Sequence, residues 1–315
     1  MHDKRIVVTG GAGFIGSNIA WSLCEDNEVV VIDNLATGNI VNIKKLVTEK
    51  KIEFVRGSVT DLKLMKKALK GADYVLHQAA IPSVPRSVRD PLATNEAGVT
   101  GTLATLVASR DSGVKKVVFA SSSSVYGDTP TLPKHEGMPP SPLSPYAVTK
   151  TTAESYCKLF TDLYGLGTVS LRYFNVYGPR QDSASEYAAV IPKFIKSALK
   201  GKPLVVYGDG TQTRDFTYIL DAVQANVLAA QSKAGGNYNI AAGRRITVNE
   251  LAATIIEITG SRARVKHEKP RPGDIKHSLA DISHARVAFG YSPEYSLKQG
   301  LLKTVDWFSK GKQGV

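Results

Sequence analysis

Tyr146 and Lys150 stand four residues apart in Tyr146-Ala147-Val148-Thr149-Lys150, so a helix there sets a phenol and an ammonium on one face. Ser144-Pro145 just before them supplies a helix start. A free tyrosine ionises near pH 10, and service as a base near neutrality requires a drop of about 3 units, or about 4 kcal/mol. An adjacent ammonium acts in that direction. The spacing alone is a weak signal, because Tyr and Lys four apart are common on helix surfaces. Ser121-Ser122-Ser123-Ser124 closes the strand-like run Val117-Val118-Phe119-Ala120. Four serines suit a plain turn; beside a tyrosine base they also offer a proton-shuttling hydroxyl.

A second set of residues has anion-binding chemistry. Thr9-Gly10-Gly11-Ala12-Gly13-Phe14-Ile15-Gly16 follows the run Ile6-Val7-Val8 and opens a helical pattern over residues 14–24. Glycines there permit a tight turn and close approach of a pyrophosphate, while the helix N-terminus offers unpaired N–H groups. Asp33 ends the next strand-like run, Val29-Val30-Val31-Ile32, near the offset expected of a carboxylate that binds ribose hydroxyls. A carboxylate there would repel a 2′-phosphate, so NAD is favoured over NADP. The bland role for Asp33, a helix cap, leaves the spacing unexplained. An oxidised nicotinamide would add a second positive charge beside Tyr146.

The elements that must position these groups alternate as in βαβ units. Further strands are read at Ile52-Glu53-Phe54-Val55, Tyr74-Val75-Leu76-His77 and Thr168-Val169-Ser170-Leu171, making six in all. Continuous apolar runs suit parallel strands covered on both faces. A helix over residues 62–69 is expected to bury Leu62, Met65, Ala68 and Leu69. After about Phe174 the rhythm changes to shorter elements separated by Gly- and Pro-rich loops. The expected fold is α/β, a doubly wound parallel Rossmann sheet with a smaller α+β C-terminal substrate domain. Residues 1–174, with about 209–241, are assigned to the dinucleotide-binding domain, and 175–208 with 242–315 to the substrate domain. No internal repeat or low-complexity segment is present.

Composition narrows the field. With 315 residues, 43% hydrophobic and 22% charged, the chain excludes a disordered or fibrous protein. Forty Lys and Arg against 28 Asp and Glu give a formal charge of +12, compatible with a nucleic acid, an anionic membrane or a phosphorylated substrate. Cys24 and Cys157 are the only cysteines, so a disulfide-stapled scaffold is excluded and each is expected as a buried thiol. The six histidines lack metal-ligand spacing, so no metal site is expected. The lysine-rich stretch 63–70 has no interleaved aromatics and reads as a solvated face rather than a nucleic-acid patch. No signal-peptide pattern and no run of about 18 apolar residues is found, so a cytoplasmic protein is expected.

Taken together, the glycine motif, Asp33, His77-Gln78-Ala79-Ala80, Ser121 to Gly127, Tyr146/Lys150 and Arg172-Tyr173-Phe174-Asn175-Val176-Tyr177-Gly178-Pro179 resemble an extended short-chain dehydrogenase/reductase. More narrowly, nearly the whole chain is similar to the nucleotide-sugar 4-epimerases of that superfamily. The resemblance implies that Tyr146 is the base, Lys150 its partner and a ligand of the nicotinamide ribose. It implies that Ser122, with Ser123 beside it, hydrogen-bonds the sugar at O4. Gly10, Gly13, Phe14, Ile15, Gly16, Asp33, Asn34, Asp61, Ala79 and Ala80 match the dinucleotide site, with Asp61 at adenine. The implied reaction inverts C4 through a transient 4-keto sugar that turns over in the pocket, with NAD retained.

The same resemblance places a UDP-sugar in the C-terminal half. Arg214 and Arg271 match two arginines that grip the diphosphate, for which the guanidinium fork is suited. Asp274 matches a carboxylate on the uridine ribose, Asn175 a side chain at the diphosphate or sugar, and Val190 and Tyr207 the uracil pocket. Ser278 falls where a tyrosine would close the pocket to a 2-acetamido group, and its small size is permissive for UDP-N-acetylhexosamines beside UDP-glucose and UDP-galactose. Residues 186–194 also resemble the UDP-N-acetylglucosamine 4-epimerases. Serines in place of the Asp-Glu pair of 4,6-dehydratases count against dehydration. UDP-glucuronate 4-epimerases share the serine run and Arg271-Pro272-Gly273-Asp274, and stand as the alternative. A non-catalytic dinucleotide-binding regulatory module is disfavoured by Tyr146 with Lys150. The expected partners are a UDP-sugar and a second copy of the chain, through helices over residues 91–110 and 146–164, with neither nucleic acid nor membrane.

Overall fold

In the computed structural model, which describes residues 1–182, 189–270 and 275–310, the six expected runs are parallel strands. They are β1 (Arg5–Thr9), β2 (Glu28–Asp33), β3 (Ile52–Arg56), β4 (Tyr74–His77), β5 (Lys116–Ser122) and β6 (Gly167–Tyr173). Short strands β7 (Val176–Tyr177), β8 (Leu204–Tyr207), β9 (Thr213–Asp215) and β10 (Thr217–Tyr218) follow. Then β11 (Gly236–Ile240), a strand the apolar pattern did not reveal, joins the main sheet beside β6. Its sequence, Gly-Asn-Tyr-Asn-Ile, carries too few apolar residues to stand out; Asn239 is nonetheless fully buried and hydrogen-bonded. The order is β11-β6-β5-β4-β1-β2-β3, all parallel.

The pleat divides each central strand between two cores. Ile6 and Val8 of β1, with Val29 and Val31 of β2, face one layer, where helices Phe14–Leu23 and Ile219–Gln231 pack. Val7, Val30 and Val75 face the other, where Met65, Leu106, Ala153, Cys157 and Phe160 come from helices Leu62–Ala68, Gly101–Asp111 and Pro145–Tyr164. The first layer continues into the C-terminal half through Ile191, Phe194, Leu251, Ile255 and Leu301. There β8 pairs with β13 (Val265–Glu268) and β9 with β12 (Arg245–Thr247), while β7 pairs with β10. Such layering is the doubly wound α/β fold.

Two local expectations need correction. Leu62 lies at the first turn of its helix and is 38% exposed; Leu64 turns inward instead, against Gly57. Residues 91–110 do not form one regular helix: Pro91–Asn95 leads into a π-helical turn, Glu96–Thr100, before Gly101–Asp111. The extra residue of the wider turn lets Gly98 meet helix Pro145–Tyr164, where a Cβ would stand 2.8 Å from Thr149. Both cysteines are buried and unbridged. Among the described residues no helix is long and apolar enough to cross a membrane.

Candidate active site

The order in which strands are added across the sheet reverses between β1 and β4, and at that switch point the carboxyl ends of the parallel strands leave a crevice. Gly10 takes φ +66° there, and a Cβ on it would lie 2.8 Å from Ala79 Cα and N. A Cβ on Gly16 would lie 2.4 Å from the Gly10 carbonyl oxygen, which explains why this position of the turn is also glycine. Helix Phe14–Leu23 starts at Gly13 with no side-chain cap, so its first N–H groups point into the crevice. Asp33 does not cap a helix. Its carboxylate accepts the N–H of Ala12 at 3.0 Å and of Leu35 at 2.7 Å, while burial raises its pKa against those two bonds. Asn34 is exposed and accepts the Ala36 N–H at 3.0 Å; Asp61, also exposed, caps helix Leu62–Ala68 through the Leu64 N–H at 2.9 Å.

His77 locks the other wall, a role its place in the sequence did not disclose. It is 1% exposed, with Nδ1 2.7 Å from Thr9 Oγ1 and Nε2 3.0 Å from Thr102 Oγ1. Thr9 Oγ1 also accepts the Ala79 N–H at 3.3 Å, so one hydroxyl ties β1 to the Ala79-Ala80 loop. Burial, aided by the Lys150 charge, holds the imidazole neutral, its pKa pushed down to about 3.

The catalytic candidates meet at the end of β5. Ser144 accepts the Ala147 N–H at 3.2 Å and Pro145 follows as the first helical residue, which fixes the register of Tyr146. The Tyr146 phenol is hydrogen-bonded by Ser122, and the Ser122 hydroxyl also accepts the Ser124 N–H at 3.2 Å. Ser123 opens the 3-10 turn Ser123–Tyr126. Lys150 is 3% exposed; its Nζ donates to the Ala120 carbonyl at 2.6 Å and lies 5.6 Å from the centre of the Tyr146 ring. The ammonium does not win the contest over the phenol: burial raises the Tyr146 pKa and only the Ser122 bond opposes it. Burial likewise pushes Lys150 down, to about 8, against the nearby Glu154 carboxylate.

A cavity of about 540 Å³ opens in the C-terminal half. Asn175, Val190, Tyr207 and Arg214 all line it, with Phe194 and Phe216. Asn175 sits at φ +35° and donates through Nδ2 to the Asp215 carbonyl at 2.9 Å. Arg214 Nη1 donates to the Thr213 and Lys276 carbonyls at 2.9 and 3.3 Å. Ser278 is half-buried and its N–H donates to Thr213 O at 3.1 Å, which sets it one residue from Arg214 across the strand. Arg271, Asp274 and the first residues of the 186–194 stretch lie outside the described residues. Among those described, no group of three His, Cys, Asp or Glu is placed to hold a metal.

A doubly wound sheet with a glycine turn, an acidic residue closing β2, and Tyr146 and Lys150 at the end of β5 defines an extended short-chain dehydrogenase/reductase. The chain belongs to the NAD dependent epimerase/dehydratase family, whose sequence profile matches residues 6–241. The chain is 42% identical over 311 residues to a protein of Methanocaldococcus jannaschii named putative UDP-glucose 4-epimerase, covering 98% of this chain and 99% of that protein. The fold superposes with a TM-score of 0.95 on a UDP-N-acetylglucosamine 4-epimerase of Methanobrevibacter ruminantium in complex with UDP-N-acetylmuramic acid, 45% identical over 98% of this chain and 99% of that one. It superposes at 0.92 on a UDP-glucose 4-epimerase of Thermotoga maritima with UDP-glucose, 38% identical over 97% and 99%. The family's cofactor is NAD, and the glycine turn with Asp33 fits it: the backbone is bare where a pyrophosphate would approach, and no phosphate could sit at the Asp33 carboxylate.

Proposed function

We propose that the protein inverts C4 of a UDP-hexose, with UDP-N-acetylglucosamine and UDP-N-acetylgalactosamine as substrates beside the plain hexoses. The reading is carried by the Tyr146 phenol meeting the Ser122 hydroxyl at the sheet edge, one helical turn from Lys150. Gly10, Gly13, Phe14, Ile15, Gly16, Asp33, Asn34, Asp61, Ala79 and Ala80 would hold NAD, which supplies a hydride acceptor and donor for C4 and a positive charge near the phenol. Tyr146 takes the proton of the C4 hydroxyl and returns it after the sugar has turned over. Ser122 bridges the substrate oxygen and the phenol, with Ser123 beside it, so the proton crosses a short hydroxyl path. Lys150 binds the nicotinamide ribose and keeps positive charge below the phenolate. Since burial raises Tyr146, its use as a base depends on the charges that arrive with the ligands.

Arg214, with Arg271, would grip the diphosphate; Asn175 would reach the diphosphate or sugar, Val190 and Tyr207 the uracil, and Asp274 the ribose. Support for the acetamido sugars comes from the small Ser278 and from the 45% identity to an enzyme named for UDP-N-acetylglucosamine. We assign residues 1–174 and about 209–241 to the dinucleotide domain and the remainder to the substrate domain. A homodimer is proposed through Leu92, 82% exposed, and Leu163, 68% exposed, on helices Pro91–Asn95 and Pro145–Tyr164, which pack side by side. The deciding experiment offers UDP-GlcNAc, UDP-Glc and UDP-GlcA separately, without added cofactor, and follows C4 by NMR. Inversion of the first two is expected. Turnover of UDP-GlcA alone would replace the reading by glucuronate epimerisation, and no inversion of any would refute it.

A further inference from the structure

Behind the catalytic residues runs a polar chain through the core. Ser121, next to Ser122, donates to Glu154 Oε1 at 2.5 Å. Arg172 on β6 grips the same carboxylate with both prongs, Nε to Oε1 at 2.8 Å and Nη2 to Oε2 at 2.6 Å. Its third nitrogen, Nη1, donates to the Tyr126 hydroxyl at 2.9 Å, and Tyr126 donates to Asn239 Oδ1 at 2.7 Å. Asn239 Nδ2 in turn donates to the carbonyls of Lys134 and Asp281 at 2.9 and 3.1 Å. Glu154 and Arg172 are 5% and 2% exposed, so the pair is cut off from water.

A buried ion pair is a costly way to fill a core, because apolar residues of equal volume usually do so with no loss of stability. Its location gives it another use. Glu154 stands one helical turn beyond Lys150, as Lys150 stands one turn beyond Tyr146. We propose that Glu154, clamped by Arg172, is a positioning residue that keeps the buried Lys150 ammonium, one helical turn away, charged and fixes the end of β5 that presents Ser122. The catalytic meaning of this role rests on the function proposed above; the placement of the charge does not. The groups that face Lys150 are Tyr146, Glu154 and Cys157 on its own helix, His77 on β4, and the Ala120 carbonyl and Phe119 ring on β5. His77 is neutral and the Cys157 thiol is pushed up to about 12, which leaves Glu154 as the anion among them.

The test titrates Lys150 directly, by ¹³C NMR of lysine-labelled protein, with its resonance assigned by its loss in Lys150→Arg. Glu154→Gln alone strands the Arg172 charge, so Glu154→Gln/Arg172→Met removes both. The midpoint of Lys150 is expected to fall in the double variant, by less than the roughly 1–3 units a lone opposite charge exerts at close range, because the Arg172 charge leaves with the carboxylate. Arg172→Lys, which keeps the carboxylate countered, should leave it in place. The alkaline limb of kcat/KM for the UDP-hexose should move with the midpoint. An unmoved midpoint in the folded double variant, or an equal fall in Arg172→Lys, would overturn the proposal. If the double variant does not fold, Glu154→Asp is titrated instead: a smaller fall of the same sign is expected, and no fall overturns it. The NMR readout needs no substrate, so it stands or falls separately from the assigned reaction.

Discussion

The backbone N–H of Ala12 donates to the carboxylate of Asp33 at 3.0 Å, so the residue proposed for the ribose also pins the glycine turn proposed for the pyrophosphate. Removing that carboxylate therefore acts twice. Asp33→Ala leaves the N–H groups of Ala12 and Leu35 without their acceptor, a loss of about 1–3 kcal/mol for a buried donor. Thermal unfolding of the NAD-free protein should show a lowered Tm, and calorimetry a weakened affinity for NAD. An unchanged Tm of the NAD-free form would mean that the carboxylate serves the ligand alone.

Tyr146→Phe keeps the ring and its packing but removes the proton acceptor. A loss of about 10²- to 10⁴-fold in kcat is expected, the usual span for a general base, with bound NAD retained. Full activity in the variant would remove Tyr146 from the mechanism.

Ser278 is tied by its backbone to Thr213, so a larger side chain there cannot swing the strand aside without breaking that 3.1 Å bond. Ser278→Tyr should lower kcat/KM for UDP-GlcNAc by at least about tenfold relative to UDP-Glc, a modest figure for a steric gate. Parallel loss on both sugars would show damage to the pocket rather than selection.

His77 gives the protein an acid-sensitive joint. Its folded pKa, about 3, lies below the value of 6.5 for the free side chain, so the unfolded chain binds the proton more tightly. The stability it contributes is complete above pH 6.5 and is lost progressively as pH falls toward 3. Against a non-titrating His77→Gln reference, urea unfolding should show the wild-type advantage shrinking by up to about 1.4 kcal/mol per pH unit below pH 6.5. A difference that stays constant from pH 7 to pH 4 would contradict a buried neutral imidazole.

The proposed dimer face carries Leu92 and Leu163, 82% and 68% exposed. Leu92→Lys with Leu163→Lys should convert a dimer to a monomer in sedimentation, with the far-UV circular dichroism unchanged. A wild-type chain that sediments as a monomer would overturn the proposed homodimer.

Local chemistry was legible in the sequence wherever neighbours in the chain are also neighbours in space. The glycine turn between β1 and its helix, Asp33 at the end of β2, and Tyr146 above Lys150 are local arrangements, and their spacing announces them. The same holds for the apolar strands, since a run such as Val29-Val30-Val31-Ile32 has little else to do than fill a sheet. The polar strand β11 stayed hidden because its place is set by pairing with β6 and by buried partners of Asn239, far away in the chain. Leu62 misled because helical periodicity cannot say which of Leu62 and Leu64 the sheet will cover.

Only the tertiary structure could join Thr9 to His77, 68 residues on, or seat Glu154 between Ser121 and Arg172. It also reversed the expected balance at Tyr146, where the lysine four residues away matters less than burial. Distance along a helix is fixed by the sequence, but the dielectric around a phenol is fixed by everything that folds over it.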